Sequence, residues 1–205
     1  MTPMTAVTQD PLLQPLSLRG THVQLVPLAP EHAPALTEAV RDGELWNLWY
    51  TAVPRPEGMA AEIERRLGLH AAGSMLPFTV LDAEGTPVGM TTYMNIDRVH
   101  RRVEIGSTWY AGRVQRSPLN TEAKRLLLAH AFDTLDCIAV EFRTHRFNQQ
   151  SRRAIERLGA QLDGILRSHQ RSADGSLRDT VVYSIIAAEW PTVRQHLAHQ
   201  LSKPR

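Results

Sequence analysis

Cysteine is almost absent from this chain of 205 residues, which has a single one, Cys137. One cysteine cannot form an internal disulfide, so the composition favours a reducing compartment. Long hydrophobic runs are absent as well, because no window of the sequence approaches the ~18 apolar residues of a membrane span. The N-terminal segment has neither the basic region nor the apolar core of a signal peptide. We therefore expect a cytoplasmic protein with no membrane partner.

The chain also lacks a large excess of charge of one sign. The formal net charge is only +2, and like charges never run for more than two residues. A nucleic-acid-binding module usually carries a basic patch or interleaved aromatic side chains, so scattered arginines make that function the weakest hypothesis. His196 and His199 are three residues apart on a predicted helix, but no third ligand accompanies them. The sequence therefore predicts no nucleic-acid partner and no metal site.

What the sequence does contain is a succession of strand and helix patterns. Apolar residues at every second position predict strands, and a spacing of three to four residues predicts helices. The predicted order is β-α-α-β-β-β-α-β-α-β-β with a terminal helix, which makes a mixed α/β domain with antiparallel hairpins and one parallel crossover. Residues 1–15 are rich in Pro, Thr and Gln and predict a flexible tail, and residues 16–205 predict a single domain.

One stretch, VQRSPLNTEAKRLLLAHAF (114–132), lies where the crossover helix begins. Asn120 is a good N-cap for a helix from Thr121 to about Leu135. The unpaired N–H groups at the start of such a helix point toward the end of the preceding strand and favour an anion. Every helix has such an end and most bind no ligand, so an ordinary helix start is the competing interpretation.

Several segments together resemble the GNAT acyltransferase superfamily, in particular its RimJ/RimL-like branch of protein N-acetyltransferases. The resemblance runs from about Leu18 to Trp190 and is carried by LRGTHVQLVPL, VEIGSTWY, NTEAK, FNQQSRRAIERLGAQLDGILRSH and DTVVYSIIAAEW. It implies an α/β (α+β) fold whose mixed, mostly antiparallel sheet of six to seven strands has helices on both faces. It also implies acetyl-CoA as cosubstrate and a primary amine as acceptor, either a protein N-terminus or a small molecule, and is compatible with a homodimer.

In this family the loop before the helix reads Q/R-x-x-G-x-G/A, and its backbone amides bind the pyrophosphate of acetyl-CoA. Here Gln115 matches the first position, while Pro118 and Asn120 stand for the two small residues. Pro118 has no N–H group, so one donor is lost, although its fixed φ can preform the loop. The two replacements motivate an alternative function, an acyl-CoA-binding sensor or a catalytically inactive domain. The residues that we expect to bind acetyl-CoA at this end of the site are Trp109, Gln115, Arg116, Leu119, Asn120 and Thr121.

Acetyl transfer requires a group that removes the proton of the attacking amine. Glu104 lies on the strand before the loop, in VEIG, on the face opposite Val103 and Ile105. It matches a glutamate often found in this segment of the family, and we expect it to be the base, directly or through water. The competing interpretation is a half-exposed strand carboxylate that pairs with Arg101 or Arg102.

A second motif, Asn148-x-x-Ser151, matches the family's helix start after the following strand. The resemblance implies that Asn148 holds the pantetheine arm of acetyl-CoA and that Ser151 hydrogen-bonds its sulfur. The same two residues also form an ordinary N-cap and first helical turn, and both interpretations can hold together.

Three aromatic residues, Trp46, Trp49 and Tyr50, fall between the first two predicted helices, where the family builds its acceptor pocket. They can form a wall of that pocket, or they can belong to the core or to a dimer interface. Cys137 opens an apolar strand with no histidine at a defined distance, so we do not expect an acyl-cysteine intermediate.

Overall fold

The computed structural model describes residues 10–172 and 174–203 of the chain. The strands in these residues are β1 (Leu18–Arg19), β2 (Gln24–Pro27), β3 (Met75–Leu81), β4 (Pro87–Asp97), β5 (Arg102–Tyr110), β6 (Ala139–His145), β7 (Gln161–Arg171) and β8 (Leu177–Ile186). The helices are α1 (Ala33–Arg41), α2 (Met59–Ala71), α3 (Pro118–Ala129), α4 (Gln149–Glu156) and α5 (Trp190–Ser202). All eight strands form one sheet in the order β1-β2-β3-β4-β5-β6-β8-β7.

The sheet is mixed and mostly antiparallel, as predicted. β5 and β6 run parallel, which confirms the single crossover, and the other neighbouring strands are antiparallel. The sheet exceeds the expected six to seven strands because the segment 18–28, predicted as one strand, is a hairpin. The Gly20 N–H donates to the Val23 carbonyl at 2.8 Å and turns the chain between β1 and β2.

Helices cover both faces of the sheet, and two threonines of β4 show which helix lies on which face. Consecutive residues of a strand point to opposite faces. The Thr92 hydroxyl accepts a hydrogen bond from Arg66 of α2 at 2.9 Å, whereas the Thr91 hydroxyl accepts one from Lys124 of α3 at 3.3 Å. α2 therefore lies on one face, called the front below, and α3 lies on the back.

α3 exists as predicted, but it begins and ends at other residues. Its N-cap is Ser117, whose hydroxyl accepts the Leu119 N–H at 3.3 Å, so the prediction of Asn120 as N-cap is wrong. Pro118 is the first helical residue, a position that proline favours because its missing N–H would have no helical partner there. After Ala129 the chain continues in a π-type turn over His130–Thr134 instead of as an α-helix.

Part of the predicted flexible tail is packed onto the domain. Leu12 is a core residue with 7% of its surface exposed. Asp10 forms an ion pair with Arg98, and the Leu13 carbonyl lies 2.9 Å from Nε2 of His70. These contacts attach the later part of that tail to the end of α2 and to the turn between β4 and β5. Its first nine residues lie outside the described residues.

β5 and β6 separate before either strand ends. Arg102–Glu104 pairs with Ala139–Glu141, but β5 continues to Tyr110 and β6 to His145. The gap between residues 105–110 and 142–145 is called the cleft below. Ligands of open α/β sheets bind outside the carboxyl ends of strands, so the cleft is where a ligand is expected.

Candidate active site

Two helices begin at the open end of the cleft. α3 follows β5 after a short loop, and α4 follows β6 with Asn148 as its N-cap. Gln115 of the loop and Gln150 of α4 approach each other at 3.5 Å, which brings the two helix starts side by side. Each start carries a partial positive charge and unpaired N–H groups. The open end of the cleft therefore favours an anion such as a pyrophosphate.

The loop before α3 makes its left-handed turn at a residue other than Pro118. Arg116 has a φ of 59°, in the region that favours glycine. Pro118 can then lie in the first helical turn with the negative φ that its ring imposes. Since the Ser117 hydroxyl already accepts the Leu119 N–H, the donors left for a ligand are the N–H groups of Ser117 and Asn120. Neither has a helical carbonyl four residues before it.

The predicted cofactor-binding residues fall into two groups. Arg116 is exposed, and Gln115 and Asn120 are half-buried at the loop, where Nε2 of Gln115 donates to the Tyr110 carbonyl at 3.0 Å. The side chains of the second group are buried, with 2–3% exposed, so a ligand could meet only their backbone groups. This group consists of Trp109, Leu119 and Thr121.

The start of α4 has the predicted capping geometry. The Ser151 N–H donates to Oδ1 of Asn148 at 3.0 Å, which confirms Asn148 as N-cap with Ser151 in the first turn. This bond uses the oxygen of the Asn148 amide, so its Nδ2 group is the part that can donate to a ligand. Both residues are half-buried, which leaves part of each accessible.

Glu104 lies at the closed end of the cleft, at the last pair of β5 and β6, with 5% of its surface exposed. Its carboxylate accepts a hydrogen bond from Nδ2 of Asn95 at 2.7 Å and lies 3.6 Å from Nε of Arg143. Burial raises the pKa of Glu104, although Asn95 and Arg143 act in the opposite direction. A carboxylate with a raised pKa is a stronger proton acceptor than an ordinary one.

The competing interpretation of Glu104 is wrong in its two partners. Arg102 pairs with Glu141, and Arg101 donates to the Leu135 carbonyl at the end of the crossover helix. Neither arginine forms an ion pair with Glu104 in the described part of the chain. The carboxylate is thus nearly buried and lightly paired, unlike the half-exposed ion pair expected from a strand surface.

A glycine keeps the region beside Glu104 open. A Cβ atom on Gly106 would lie 2.9 Å from Oε1 of Glu104 and 2.8 Å from the sulfur of Met94. Gly106 is half-buried and the following Ser107 is exposed. The front of β5 is therefore accessible next to the carboxylate, so a small molecule can approach it.

β5 carries a β-bulge one step further along the cleft. Ser107 and Thr108 stand opposite the single residue Thr91 of β4, and Ser107 has a φ of 48°. Because β6 has already separated from β5 here, backbone N–H groups of the bulge that face the cleft have no strand to pair with. Such groups can donate to a carbonyl oxygen that gains negative charge.

The bulge is held from both faces by buried cations that the sequence analysis did not identify. Arg66 of α2 is 2% exposed and donates to the Ser107 carbonyl at 3.1 Å. Lys124 of α3 is 6% exposed and donates to the Thr108 hydroxyl at 2.9 Å. A sequence signal existed, since both cations lie three residues from an apolar residue on the buried face of their helix.

Two of the three predicted aromatic residues meet the end of β6. Trp49 lies 5.5 Å from Tyr50 and 5.0 Å from His145 between ring centres, and His145 stacks on Phe147 at 5.7 Å. These four residues are called the aromatic cluster below. Trp49 and Phe147 are 61% and 60% exposed, so their ring faces are available to a ligand. Trp46 packs against the hydrophobic core instead.

His145 of the aromatic cluster was also missed, because only its distant partners Trp49 and Tyr50 distinguish it from an ordinary strand residue. It is 5% exposed, and its Nδ1 accepts the Phe147 N–H at 3.1 Å. Burial lowers its pKa, with Arg178 acting in the same direction. The imidazole is therefore neutral at neutral pH and carries its proton on Nε2.

The NTEAK segment mainly anchors α3. The Glu122 carboxylate accepts the backbone N–H groups of Thr21 and His22 in the β1–β2 turn, and a Cβ on Gly20 would collide with it. The Thr121 hydroxyl accepts a hydrogen bond from Arg157 at 3.2 Å. The side chains of Thr121 and Glu122 thus fix the position of the helix, and the backbone N–H of Asn120 is the group of this segment that is left for a ligand.

Other chemistry has little support in the described residues. Burial raises the pKa of Cys137 to about 11, so its thiol stays protonated at neutral pH and is a poor nucleophile. Within residues 10–172 and 174–203, no group of three or more His, Cys, Asp or Glu side chains could hold a metal ion. Of the helices described, none is both long enough and apolar enough to cross a lipid bilayer.

Known proteins are similar to this chain in sequence and in fold. Residues 22–161 match the Acetyltransferase (GNAT) domain family. Over 107 residues the chain is 33% identical to "Putative ribosomal N-acetyltransferase YdaF" of Bacillus subtilis (strain 168), a match that spans 52% of this chain and only 57% of that protein.

Solved structures extend the similarity over nearly the whole chain. A GCN5-related N-acetyltransferase from Brucella melitensis is 29% identical with a TM-score of 0.83, over 92% of this chain and 86% of that one. RimJ of Mycobacterium smegmatis, solved in complex with CoA-disulfide, has a TM-score of 0.75 over 91% of this chain and 93% of its own. Because only 22% of the residues are identical, this similarity shows a common fold alone.

Proposed function

We propose that this chain, which belongs to the GNAT acetyltransferase family, transfers the acetyl group of acetyl-CoA to a primary amine by direct attack on the thioester. The observation that carries the proposal is the cleft between β5 and β6. Two helix starts form its open end, and the buried, lightly paired carboxylate of Glu104 lies at its closed end. An anion-binding end and a proton acceptor joined by one cleft suit a reaction between a phosphorylated thioester and an amine.

The proposed orientation of acetyl-CoA follows the polarity of the cleft. The pyrophosphate binds at the start of α3, where Ser117 and Asn120 offer backbone N–H groups and the side chains of Gln115 and Arg116 can add donors. The pantetheine arm then runs into the cleft past Nδ2 of Asn148. This path brings the thioester to the bulge of β5 and to Glu104.

The proposed reaction accounts for each bond and for the proton that the amine loses. The amine nitrogen bonds to the thioester carbon, and the carbon–sulfur bond breaks. Glu104 accepts the amine proton, directly or through water, while N–H groups of the Ser107–Thr108 bulge hold the oxyanion. The Ser151 hydroxyl hydrogen-bonds the departing thiolate, which takes a proton from solvent, and Glu104 then returns the amine proton to solvent. Ser151 is a donor in this scheme and not an acid, because a hydroxyl releases its proton poorly.

The proposed acceptor is a protein N-terminal α-amine, with a small-molecule amine as the competing class. An α-amine has a pKa near ~8 and is partly neutral at pH 7, whereas a lysine amine near ~10.4 is almost fully charged. The exposed rings of Trp49 and Phe147 can bind the ammonium form on arrival. The name of the Bacillus subtilis relative, a putative ribosomal N-acetyltransferase, points to a ribosomal acceptor for that protein.

The proposed function is tested by thiol release from acetyl-CoA with a panel of amines: Ser- and Ala-initiated peptides, spermidine and tyramine. We expect turnover with the peptides, and Trp49→Ala should raise the KM for the peptide but not for acetyl-CoA. Val99→Ala is the matched control, since Val99 is 84% exposed and lies outside the aromatic cluster. Tight CoA binding without turnover on any amine would establish the sensor instead.

A further inference from the structure

The bulge of β5 is a strained feature that needs external support. Ser107 is not a glycine, yet its φ of 48° lies in the left-handed region. A non-glycine residue in such a region is strained, and the conformation persists only where its surroundings fix it. Here the bulge lies beside Glu104 and faces the cleft, so its conformation determines where its N–H groups point.

Lys124 supports the bulge from the back face of the sheet. Its buried environment is unfavourable for a cation. Its ammonium donates to the hydroxyls of Thr108 at 2.9 Å and Thr91 at 3.3 Å. Among the described residues no carboxylate lies within salt-bridge distance of it. Arg66 on the front face differs, because Glu62 pairs with it at 2.7 Å. A buried ammonium with only hydroxyl partners destabilises a fold more than an apolar side chain would.

The two threonines do not need Lys124 to satisfy their hydrogen bonds. Their hydroxyls lie 2.8 Å apart and can bond to each other. What the lysine adds is a connection that fixes Thr108, the second residue of the bulge, to the body of α3. The same helix holds the proposed pyrophosphate site at its first turn.

We propose that Lys124 is a positioning residue, which fixes the Ser107–Thr108 bulge from the back of the sheet so that its backbone N–H groups meet the thioester carbonyl oxygen. The inference rests on the proposed function, because it assumes that the acetyl group binds at this bulge. Lys124 touches neither reactant. Its effect passes through Thr108, and it connects the anchored body of α3 to the place where negative charge develops.

The carbonyl stretching frequency of bound acetyl-CoA, labelled with ¹³C at the acetyl carbonyl, tests this role without an acceptor amine. In the unaltered protein we expect a shift to lower frequency relative to free acetyl-CoA, because hydrogen bonds polarise the carbonyl. Lys124→Met and Thr108→Val should move the frequency back toward the free value, while the affinity for CoA changes less than threefold. With an active amine, each variant should lower kcat at least tenfold and leave the KM for acetyl-CoA nearly unchanged.

Glu122→Gln is the structural control, since Glu122 anchors the same helix but bonds to the β1–β2 turn. This variant should have a lower melting temperature, but the carbonyl frequency of its bound acetyl-CoA should equal that in the unaltered protein. The inference is overturned if Lys124→Met keeps that frequency, or if Glu122→Gln shifts it equally. Failure of acetyl-CoA to bind the unaltered protein would instead overturn the proposed function, so the two failures are distinguishable. If Lys124→Met does not fold, the nearly isosteric Thr108→Val decides the question alone.

Discussion

Glu104 and Glu122 are two carboxylates with the same degree of burial, 5% and 4% exposed, but with different surroundings. Glu122 lies on the back of the sheet in α3, where two backbone N–H groups of the β1–β2 turn use both of its oxygens. Glu104 accepts one side-chain hydrogen bond, from Asn95, and its ion pair with Arg143 is as long as 3.6 Å. Burial alone therefore does not distinguish a structural carboxylate from a reactive one.

The difference between the two carboxylates lies in what remains available to a substrate. Glu122 is held by rigid backbone donors, and Gly20 leaves just enough space for its head group. Glu104 keeps a desolvated charge beside the accessible Gly106, and its raised pKa records that the charge is incompletely compensated. We infer that the first fixes a helix and that the second can take a proton.

The sharpest test of this comparison is Glu104→Gln, which should lower kcat/KM about 100-fold or more, as expected for loss of a general base. The raised pKa means that Glu104 gains its proton, and the reaction loses its base, as pH falls through that value. The acidic limb of the pH–rate profile should therefore disappear in the variant. The loss should shrink at high pH, where the amine deprotonates unaided. An unchanged acidic limb would exclude Glu104 as the base.

The stability of Glu104→Gln should not fall at neutral pH. A carboxyl whose folded pKa is raised destabilises the fold once pH exceeds its unfolded pKa, because the unfolded chain then ionises more readily. Glutamine removes this cost and can still accept the Asn95 hydrogen bond. A large drop in melting temperature would mean that Glu104 is structural after all, and the contrast with Glu122 would fail.

The complementary variant, Glu122→Gln, should show the opposite behaviour. It replaces an anion that accepts two backbone N–H groups by an amide with a single acceptor oxygen, so one buried donor loses its partner. We expect a loss of about 2–3 kcal/mol in the free energy of unfolding, or roughly 4–12 °C in melting temperature. Thermal denaturation measures this. Activity per folded molecule should stay within about twofold, and a large fall in kcat with unchanged stability would contradict the assignment.

Sequence patterns predicted the fold better than the site, and particular residues show why. Val103 and Ile105 alternate around Glu104, and this local period placed Glu104 on the opposite face. The capping role of Asn148 is equally local, since its partner Ser151 is three residues away. Local periodicity and short spacings can be read from the chain alone.

The parts that escaped prediction depend on contacts between distant segments. His145 belongs to the aromatic cluster only through its ring contacts with Trp49 and Tyr50, which lie almost a hundred residues earlier in the sequence. The hairpin turn after Gly20 depends on Glu122, about a hundred residues later. Ser117 was missed as N-cap for another reason, because Asn120 is an equally good capping residue by type and only the backbone decides between them.

A second pair sharpens the comparison on the cation side, because Lys124 lacks the carboxylate partner that Arg66 has in Glu62. Burial lowers the pKa of Lys124 to about 7. The unfolded chain then binds the extra proton between about pH 7 and pH 10, so the stability of the unaltered protein rises with pH over that window. Below it the full cost of the buried charge is present.

Lys124→Met removes this pH dependence. Relative to the unaltered protein, the free energy of unfolding of the variant should rise by about 3 kcal/mol more at pH ~6 than at pH ~9. This follows from the roughly two pH units between the folded pKa and pH ~9, at about 1.36 kcal/mol per unit. Chemical denaturation at the two pH values measures the difference. Arg194→Met is the control, since Arg194 is an exposed cation paired with Asp133. Equal effects at both pH values would show that Lys124 remains charged throughout.

The smallest effect is expected at the start of α3, where the same helix has a ligand-facing end and an anchored body. Pro118→Gly alters the end alone. It restores one N–H donor, worth about 1 kcal/mol as a typical hydrogen bond, but it loosens a residue that proline fixes at the first helical position, at a cost of about 0.4–1 kcal/mol. The two effects oppose each other, so CoA affinity should stay within about tenfold, or ~1.4 kcal/mol, of the unaltered protein.

Isothermal titration with CoA measures the effect of Pro118→Gly, and Glu122→Gln provides the comparison at the anchored body. The left-handed turn of this loop is made by Arg116, with a φ of 59°, so a glycine at 118 has no strained angle to relieve. A hundredfold gain in affinity would therefore mean that the native loop has lost a donor it needed. In that event the sensor or inactive domain would replace catalysis as the proposed function. Glu104 would then have no role as a base.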